Sequence, residues 1–218
     1  MNFSEIVVRP VLSTTFQQLG YVVHRKDGTD CFVIDPGLES ENFMKLFADT
    51  GLKPIALLVT HGHGDHIGGI SAIRAEWESA KIYIGEHEHE KLTDPSKNLS
   101  GAFGFGLTTP EADVLLKDGE QLELAGITIE VRHVPGHSKG HVVYLIPTEP
   151  KAMLFVGDVI FQGSIGRNDF PDSEPAIQIP MIRSQILSLP DDTIIFPGHG
   201  AATTVGAERR SNPYLIRP

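Results

Sequence analysis

The sequence predicts an α/β protein with helices packed outside its sheets, and three observations predict it. Short apolar runs bounded by Gly and Pro occur in both halves of the chain, and each half also carries a stretch suited to a helix. One run, "IALLVT", is apolar throughout, as strands covered on both faces are. At 218 residues the chain suits one large domain or two small ones and hides on the order of 70% of its extended surface on folding. The absence of a linker, low-complexity tract or strong repeat favours one domain over residues 1–218.

Three strands open the chain: "EIVVRPVLST", "LGYVVHR", and "CFVIDPG" stopped by Pro36–Gly37. "SENFMKLFADTG" follows as a helix, with Phe43, Met44, Leu46 and Phe47 on one face and Gly51 as its stop. After the "IALLVT" strand comes "THGHGDHIGG", and Ile67, Ile70, Ile73 and Trp77 then recur at helical spacing. "KIYIG" is a further strand, and Thr93–Pro110 reads as a long Gly-rich surface loop of the kind that carries function. In the second half "QLELAGITIEVRHV" reads as a hairpin, followed by strands "HVVYLIP" and "AMLFVGD". A helix lies within Glu174–Leu189, and "TIIFPGHG" is the last strand.

Composition narrows the function classes. A formal charge of −10 argues against nucleic acid as a partner, because phosphate binding needs a basic face. No apolar run approaches the ~20 residues that span a bilayer. The start, "MNFSEIVVRP", lacks a secretory signal, and Cys31 stands alone in an apolar strand, so a reducing cytoplasm is the expected home.

Four apolar runs share one ending: "IALLV" runs into Thr60-His61-Gly62-His63, "ITIEVRHV" into Pro135-Gly136-His137, "AMLFV" into Gly157-Asp158, and "TIIF" into Pro197-Gly198-His199. With Asp65 and His66, five histidines and two aspartates gather if these strand ends share an edge, which is where α/β folds place chemistry. Imidazole plus carboxylate without thiolate suits zinc, iron or manganese. Seven donors exceed the three or four protein ligands of one zinc ion, which favours two divalent metal ions sharing a carboxylate. His87 and His89 in "GEHEHEKL" read as a solvated helix face. His133 reads as core or ligand support, His141 as a ligand orienter or a strand-start residue, and His24 as without a role. Arg209 and Arg210 read as structural partners.

"THGHGDHIGG", "VPGHSKGHVVY", "FVGDVIFQGSIGRNDFP" and "PGHGAATTVGAERRSNPYL" together resemble the metallo-β-lactamase superfamily, specifically its glyoxalase II-like hydrolases of the short bacterial type. The resemblance covers nearly the whole chain. It implies an αββα sandwich with the metal site at one edge of the two sheets. One metal would take His61, His63 and His137, the other Asp65, His66 and His199, and Asp158 would bridge them. Zinc is the first choice, with iron or manganese as alternatives. Two departures stand out. His137-Ser138-Lys139-Gly140 replaces the family's frequent "HTPG", and the C-terminal helical domain that helps longer members bind glutathione has no counterpart.

The implied reaction is cleavage of a small anionic thioester such as S-D-lactoylglutathione by metal-activated hydroxide, with Asp65 orienting it. A thiol of pKa about 8.5 leaves without prior protonation, so no dedicated acid is needed. Arg167 and Lys139 are the candidate cations for a substrate carboxylate, and Phe103 and Phe105 the candidate cover. Competing readings are a single-iron persulfide dioxygenase, a lactonase, β-lactamase or other ester hydrolase, and a non-catalytic metal-binding scaffold.

Overall fold

The computed structural model describes residues 1–216. Strands β1 (Ile6–Ser13), β2 (Gln18–Arg25) and β3 (Asp30–Ile34) form an antiparallel meander. Parallel to β3 and to one another follow β4 (Lys53–Val59), β5 (Lys81–Gly85) and β6 (Val114–Leu116), giving a six-stranded sheet in sequence order. Parallel neighbours need crossovers. Helix α1 (Ser40–Thr50) connects β3 to β4, and the short helices α2 (Gly64–Ile67) and α3 (Ile70–Glu76) connect β4 to β5. The end of α1 matches its sequence signal, with Gly51 left-handed (φ 72°) and its N–H on the Phe47 carbonyl at 2.8 Å.

The second sheet begins with the expected hairpin, β7 (Gln121–Leu124) and β8 (Ile127–His133), turning through Ala125 and Gly126 at positive φ. β9 (Val142–Ile146) and β10 (Met153–Gly157) continue it antiparallel. A two-residue-strand hairpin, β11 (Ile160–Phe161) with β12 (Ser164–Ile165), and helix α4 (Pro175–Met181) precede β13 (Ile194–Pro197), which pairs parallel with β10. "TIIF" is not the final strand: β14 (Thr203–Thr204) pairs antiparallel with β13, and α5 (Val205–Ser211) follows, capped by the Thr204 hydroxyl on the Ala207 N–H. Pro180 has no N–H to donate inside α4, and the chain continues as a π turn over Ile182–Ile186.

Three buried clusters explain the layering. Between the sheets Tyr21, Phe32 and Leu58 of the first meet Ile129, Tyr144 and Phe155 of the second. Outside the first sheet Phe43, Phe47, Ile70 and Ile73 cover Val33, Leu57 and Ile82. Outside the second, Ile182 and Ile186 cover Val143, Leu154 and Ile195. This is the αββα sandwich. Each fully buried Leu, Ile or Phe contributes about 1.5–3 kcal/mol, and truncation of Phe43 to Ala costs about 3–5 kcal/mol.

Two tyrosines tie the sheets together reciprocally at one edge. Tyr144 of the second sheet donates to the Val59 carbonyl of the first at 2.7 Å, and Tyr21 of the first donates to the Pro197 carbonyl of the second at 2.6 Å. Both bonds hold strand ends two residues before a histidine, His61 and His199. No helix among the described residues is long and apolar enough to cross a membrane.

Candidate metal centre

At Val59 the chain leaves β4, passes extended through Thr60 to His63, and turns into α2, whose first turn carries Asp65 and His66. The second sheet adds His137 beyond β8, Asp158 directly after β10 and His199 beyond β13. Glycine permits the crowding. A Cβ on Gly198 would lie 2.4 Å from Asp158 Oδ1 and 2.6 Å from His66 Cε1, and Gly157 combines a φ of +46° with a Cβ direction that meets Thr60 Oγ1 at 2.3 Å. All seven strand-end residues meet at this edge, in the sets His61–His63–His137, His61–His66–Asp158 and Asp65–His66–His199.

In the first set, His61 Nε2 lies 3.0 Å from His63 Nδ1, and His137 Nε2 lies 3.2 and 3.1 Å from those two atoms. The far nitrogens fix the tautomers. His137 Nδ1 donates to the Arg167 carbonyl at 2.7 Å. His61 Nδ1 donates to Thr60 Oγ1 at 3.2 Å, because that hydroxyl already donates to Asp35 Oδ2 at 2.6 Å. His61 and His137 therefore face each other with bare lone pairs. A cation resolves that repulsion, and tetrahedral zinc with bonds of about 2.0–2.1 Å separates its nitrogens by roughly 3.3 Å.

The second set follows the same logic. His66 Nδ1 donates to Asp35 Oδ2 at 3.0 Å, so Nε2 is the nitrogen left to face Asp158 Oδ1, 3.3 Å away, as an N–H in the metal-free protein and as a lone pair towards a cation. His199 Nε2 stands 3.3 Å from Asp65 Oδ2 and 3.4 Å from Asp158 Oδ2. Asp158 thus lies between the two sets, with Oδ2 also 3.8 Å from His137. Each set could hold a divalent cation, and the Asp158 carboxylate stands within reach of both.

Electrostatics divides the histidines in the same way. Burial, reinforced by neighbouring imidazoles, holds His61 and His63 well below the ordinary histidine range, and burial also lowers His137. All three are free bases. Burial disfavours charge on His66 and His199 too, but the carboxylates of Asp158 and Asp65 outweigh it, drawing His66 well up and His199 to about 9. Burial opposes the charge on Asp158, yet His66 and His199 hold its carboxyl well below the usual range. This half of the site attracts positive charge.

The centre opens into a cavity of about 420 Å³ walled by Phe16, Phe103, Phe105, Phe161 and Phe170 together with His63, Asp65, His137, Asp158, Arg167 and His199. Arg167 reaches the rim, where it forks onto Asp169 (2.7 and 2.9 Å) and lies 4.4 Å over the Phe170 ring. Lys139 is exposed and lines a different groove with His87, Lys97 and Asp172. The turn at "HSKG" directs its side chain away, and only its carbonyl is engaged, by His133 Nε2 at 2.9 Å.

His133 is half-buried and meets none of the seven. His141 stacks on His61 with centroids 4.7 Å apart, and its Nε2 accepts the Asp158 N–H at 3.2 Å. His87 and His89 are exposed, on a turn and a single 3-10 turn rather than a longer helix. His24 is buried away from the site and accepts from Arg9. Arg209 and Arg210 both pair with Asp191.

Sequence reasoning missed two supports. Asp35 orients Thr60 and His66 together, and its signal was a lone acid where "CFVI" ends. Glu88, fully buried between exposed His87 and His89, accepts the Gly62 N–H at 2.8 Å and the Gly140 N–H at 2.9 Å. Lys91 neutralises it at 2.9 Å and also pairs with Asp172. Carboxylates that grip two ligand loops are the outer supports that metal sites require.

A model of the metallo-beta-lactamase superfamily matches residues 13–199, and the chain belongs to that superfamily of metallo-hydrolases. The hydroxyacylglutathione hydrolase GloC of Haemophilus influenzae is 39% identical over 208 residues, spanning 93% of this chain and 94% of that protein. Among solved structures, the BLEG-1 B3 metallo-beta-lactamase superposes with a TM-score of 0.91 at 35% identity, over 97% of this chain and 100% of that one. The di-iron-bound form of TTHA1623 superposes with a TM-score of 0.83 at 36% identity, over 95% and 100%.

Proposed function

We propose that the protein hydrolyses a thioester at a binuclear centre of His61, His63, His137, Asp65, His66 and His199, with Asp158 shared. The observation that carries this reading is the meeting of bare imidazole lone pairs at 3.2 Å beside an open cavity. Bound divalent cations, zinc first and iron or manganese as alternatives, supply there a water acidified towards neutrality and a Lewis acid for a carbonyl.

The chain's own residues do the rest. Asp65, partly exposed in the cavity wall, accepts a hydrogen bond from the attacking water and turns its lone pair towards the carbonyl. The aromatic wall excludes bulk water and strengthens every charge interaction inside. Among the described residues lining the cavity there is no Lys, Tyr or Glu, and every His and Asp is one of the proposed metal ligands, so with metals bound no such side chain is left over to protonate a leaving group. A thiolate needs no such donor, whereas an amine does, and this supports a thioester over an amide. The likeness to GloC supports glutathione as the thiol carrier, and the di-iron form of TTHA1623 supports iron as an alternative metal.

The test is thiol release from S-D-lactoylglutathione and from simpler thioesters after reconstitution with zinc, iron or manganese. The expected result is turnover that falls at least 100-fold in His61→Ala and Asp158→Ala, the scale on which metal-site electrostatics acts. No thioester turnover with any metal, in folded and metal-loaded protein, overturns the proposal. Oxygen uptake with a persulfide would then replace it by the single-iron dioxygenase reading.

A further inference from the structure

Glutathione carries two carboxylates, and an acidic chain that binds them needs free cations beside its site. Among the described residues lining the cavity the one Lys or Arg side chain is Arg167, and the Asp169 carboxylate pairs with its Nε and Nη2 and offsets its charge. Lys139 lies elsewhere. The wall instead presents five Phe rings with Leu99 and Ile165.

The way these rings are held is informative. The loop that carries Phe103 and Phe105 has a rigid base: the buried Asn98 amide donates to the Lys91 and Leu107 carbonyls at 2.8 and 2.9 Å, and the Ser100 hydroxyl accepts the Leu107 N–H at 2.8 Å. Its tip, "GAFGFG", has Gly104 and Gly106 at φ +87° and +53° and leaves Phe103 60% and Phe105 41% exposed. Both rings lean on Phe16 in the β1–β2 turn, at centroid distances of 5.4 and 6.3 Å. Rings bound for the core are buried; these are fixed at the base and offered at the mouth. Water contact on them is relieved only when an apolar group enters.

We infer that the cavity selects a thioester with an apolar acyl group, alkyl or aryl, which Phe16, Phe103 and Phe105 cover while the carbonyl sits against the metal centre. The inference rests on the hydrolase reading for the place of the carbonyl, and on the wall alone for the acyl class. Lactoyl, with its hydroxyl, is then a poorer acyl group than butyryl or hexanoyl on the same thiol.

The experiment uses one carrier thiol, N-acetylcysteamine, bearing acetyl, lactoyl, butyryl, hexanoyl and phenylacetyl groups, with thiol release as the readout. Binding of the matching non-hydrolysable thioethers is measured in parallel by calorimetry. Burying a methylene at about 0.8 kcal/mol corresponds to about a four-fold rise in kcat/KM and in thioether affinity per added carbon. Phe103→Ser with Phe105→Ser, both at an exposed tip, reduces that step below about two-fold with metal content unchanged. Turnover and affinity that ignore chain length overturn the acyl-class inference and leave hydrolysis standing. Thioether affinity that climbs with chain length in a protein that turns over no thioester upholds the cavity inference and overturns the hydrolase reading.

Discussion

Replacing Asp35 by Asn removes one negative charge and almost no volume. The backbone tolerates it, since Asp35 sits at φ 49° and Asn is at home there. The carboxylate accepts three hydrogen bonds, from the Thr60 N–H at 2.7 Å, the Thr60 hydroxyl at 2.6 Å and His66 Nδ1 at 3.0 Å. Asn has one accepting oxygen. If that oxygen keeps the Thr60 N–H, the amide NH₂ confronts the hydroxyl and the imidazole. The hydroxyl can rotate and accept, but His66 can only change tautomer. Nδ1 then accepts, Nε2 takes the proton, and the lone pair towards a cation is lost. Removal of such an outer carboxylate lowers metal affinity by about 10–100-fold. In the metal-free protein two charge-assisted bonds of about 1.5–3 kcal/mol become neutral ones of about 0.5–1.5, a loss of about 2–3 kcal/mol. Chelator competition measures the first effect and urea unfolding the second. Two metal equivalents bound at wild-type affinity, with an unchanged urea midpoint, would refute the reasoning.

Gly198→Ala forces a Cβ to within 2.4 Å of Asp158 Oδ1, so metal content should fall to one equivalent or less while circular dichroism stays native. Glu88→Gln or Lys91→Met each leaves a buried partner unmatched and should cost about 3–5 kcal/mol, whereas the double variant should cost less than the sum; a denaturation cycle reads the coupling. Burial and the neighbouring Asp30 push the Cys31 thiol up to about 12, so a disulfide reagent at pH 8 should leave it unmodified until the protein unfolds. Metal removal exposes the lone-pair clash between His61 and His137, and the thermal midpoint should drop and recover on adding zinc.

The convergence of these seven side chains was legible because six stand beside a glycine just past an apolar strand and His66 follows directly on Asp65, a local pattern with few structural explanations. The layering was legible for a related reason: "IALLVT" has no polar face, and β4 is indeed sandwiched between α1–α3 and the second sheet. The supports were not legible. Asp35 and Glu88 act on residues 25 or more positions away, and a single acid at a strand end resembles any turn residue. Lys139 shows the converse error, since a cation two residues from His137 in sequence points to another groove once the chain turns. The shortest elements, β11, β12 and β14, have two residues each, too few for any periodicity.

The four strand ends that supply the donors are divided between two sheets, and the first and last donors, His61 and His199, are 138 positions apart. A half-assembled chain therefore holds at most fragments of the site, and one strand out of register turns its donor away. A cation held by all four strand ends would require both sheets to have closed, and it would then act as a clasp between them where the lone Cys31 offers no covalent one. In a cell the retained metal would be a certificate of completed folding, and metal scarcity would first appear as a larger share of chains lost to proteolysis.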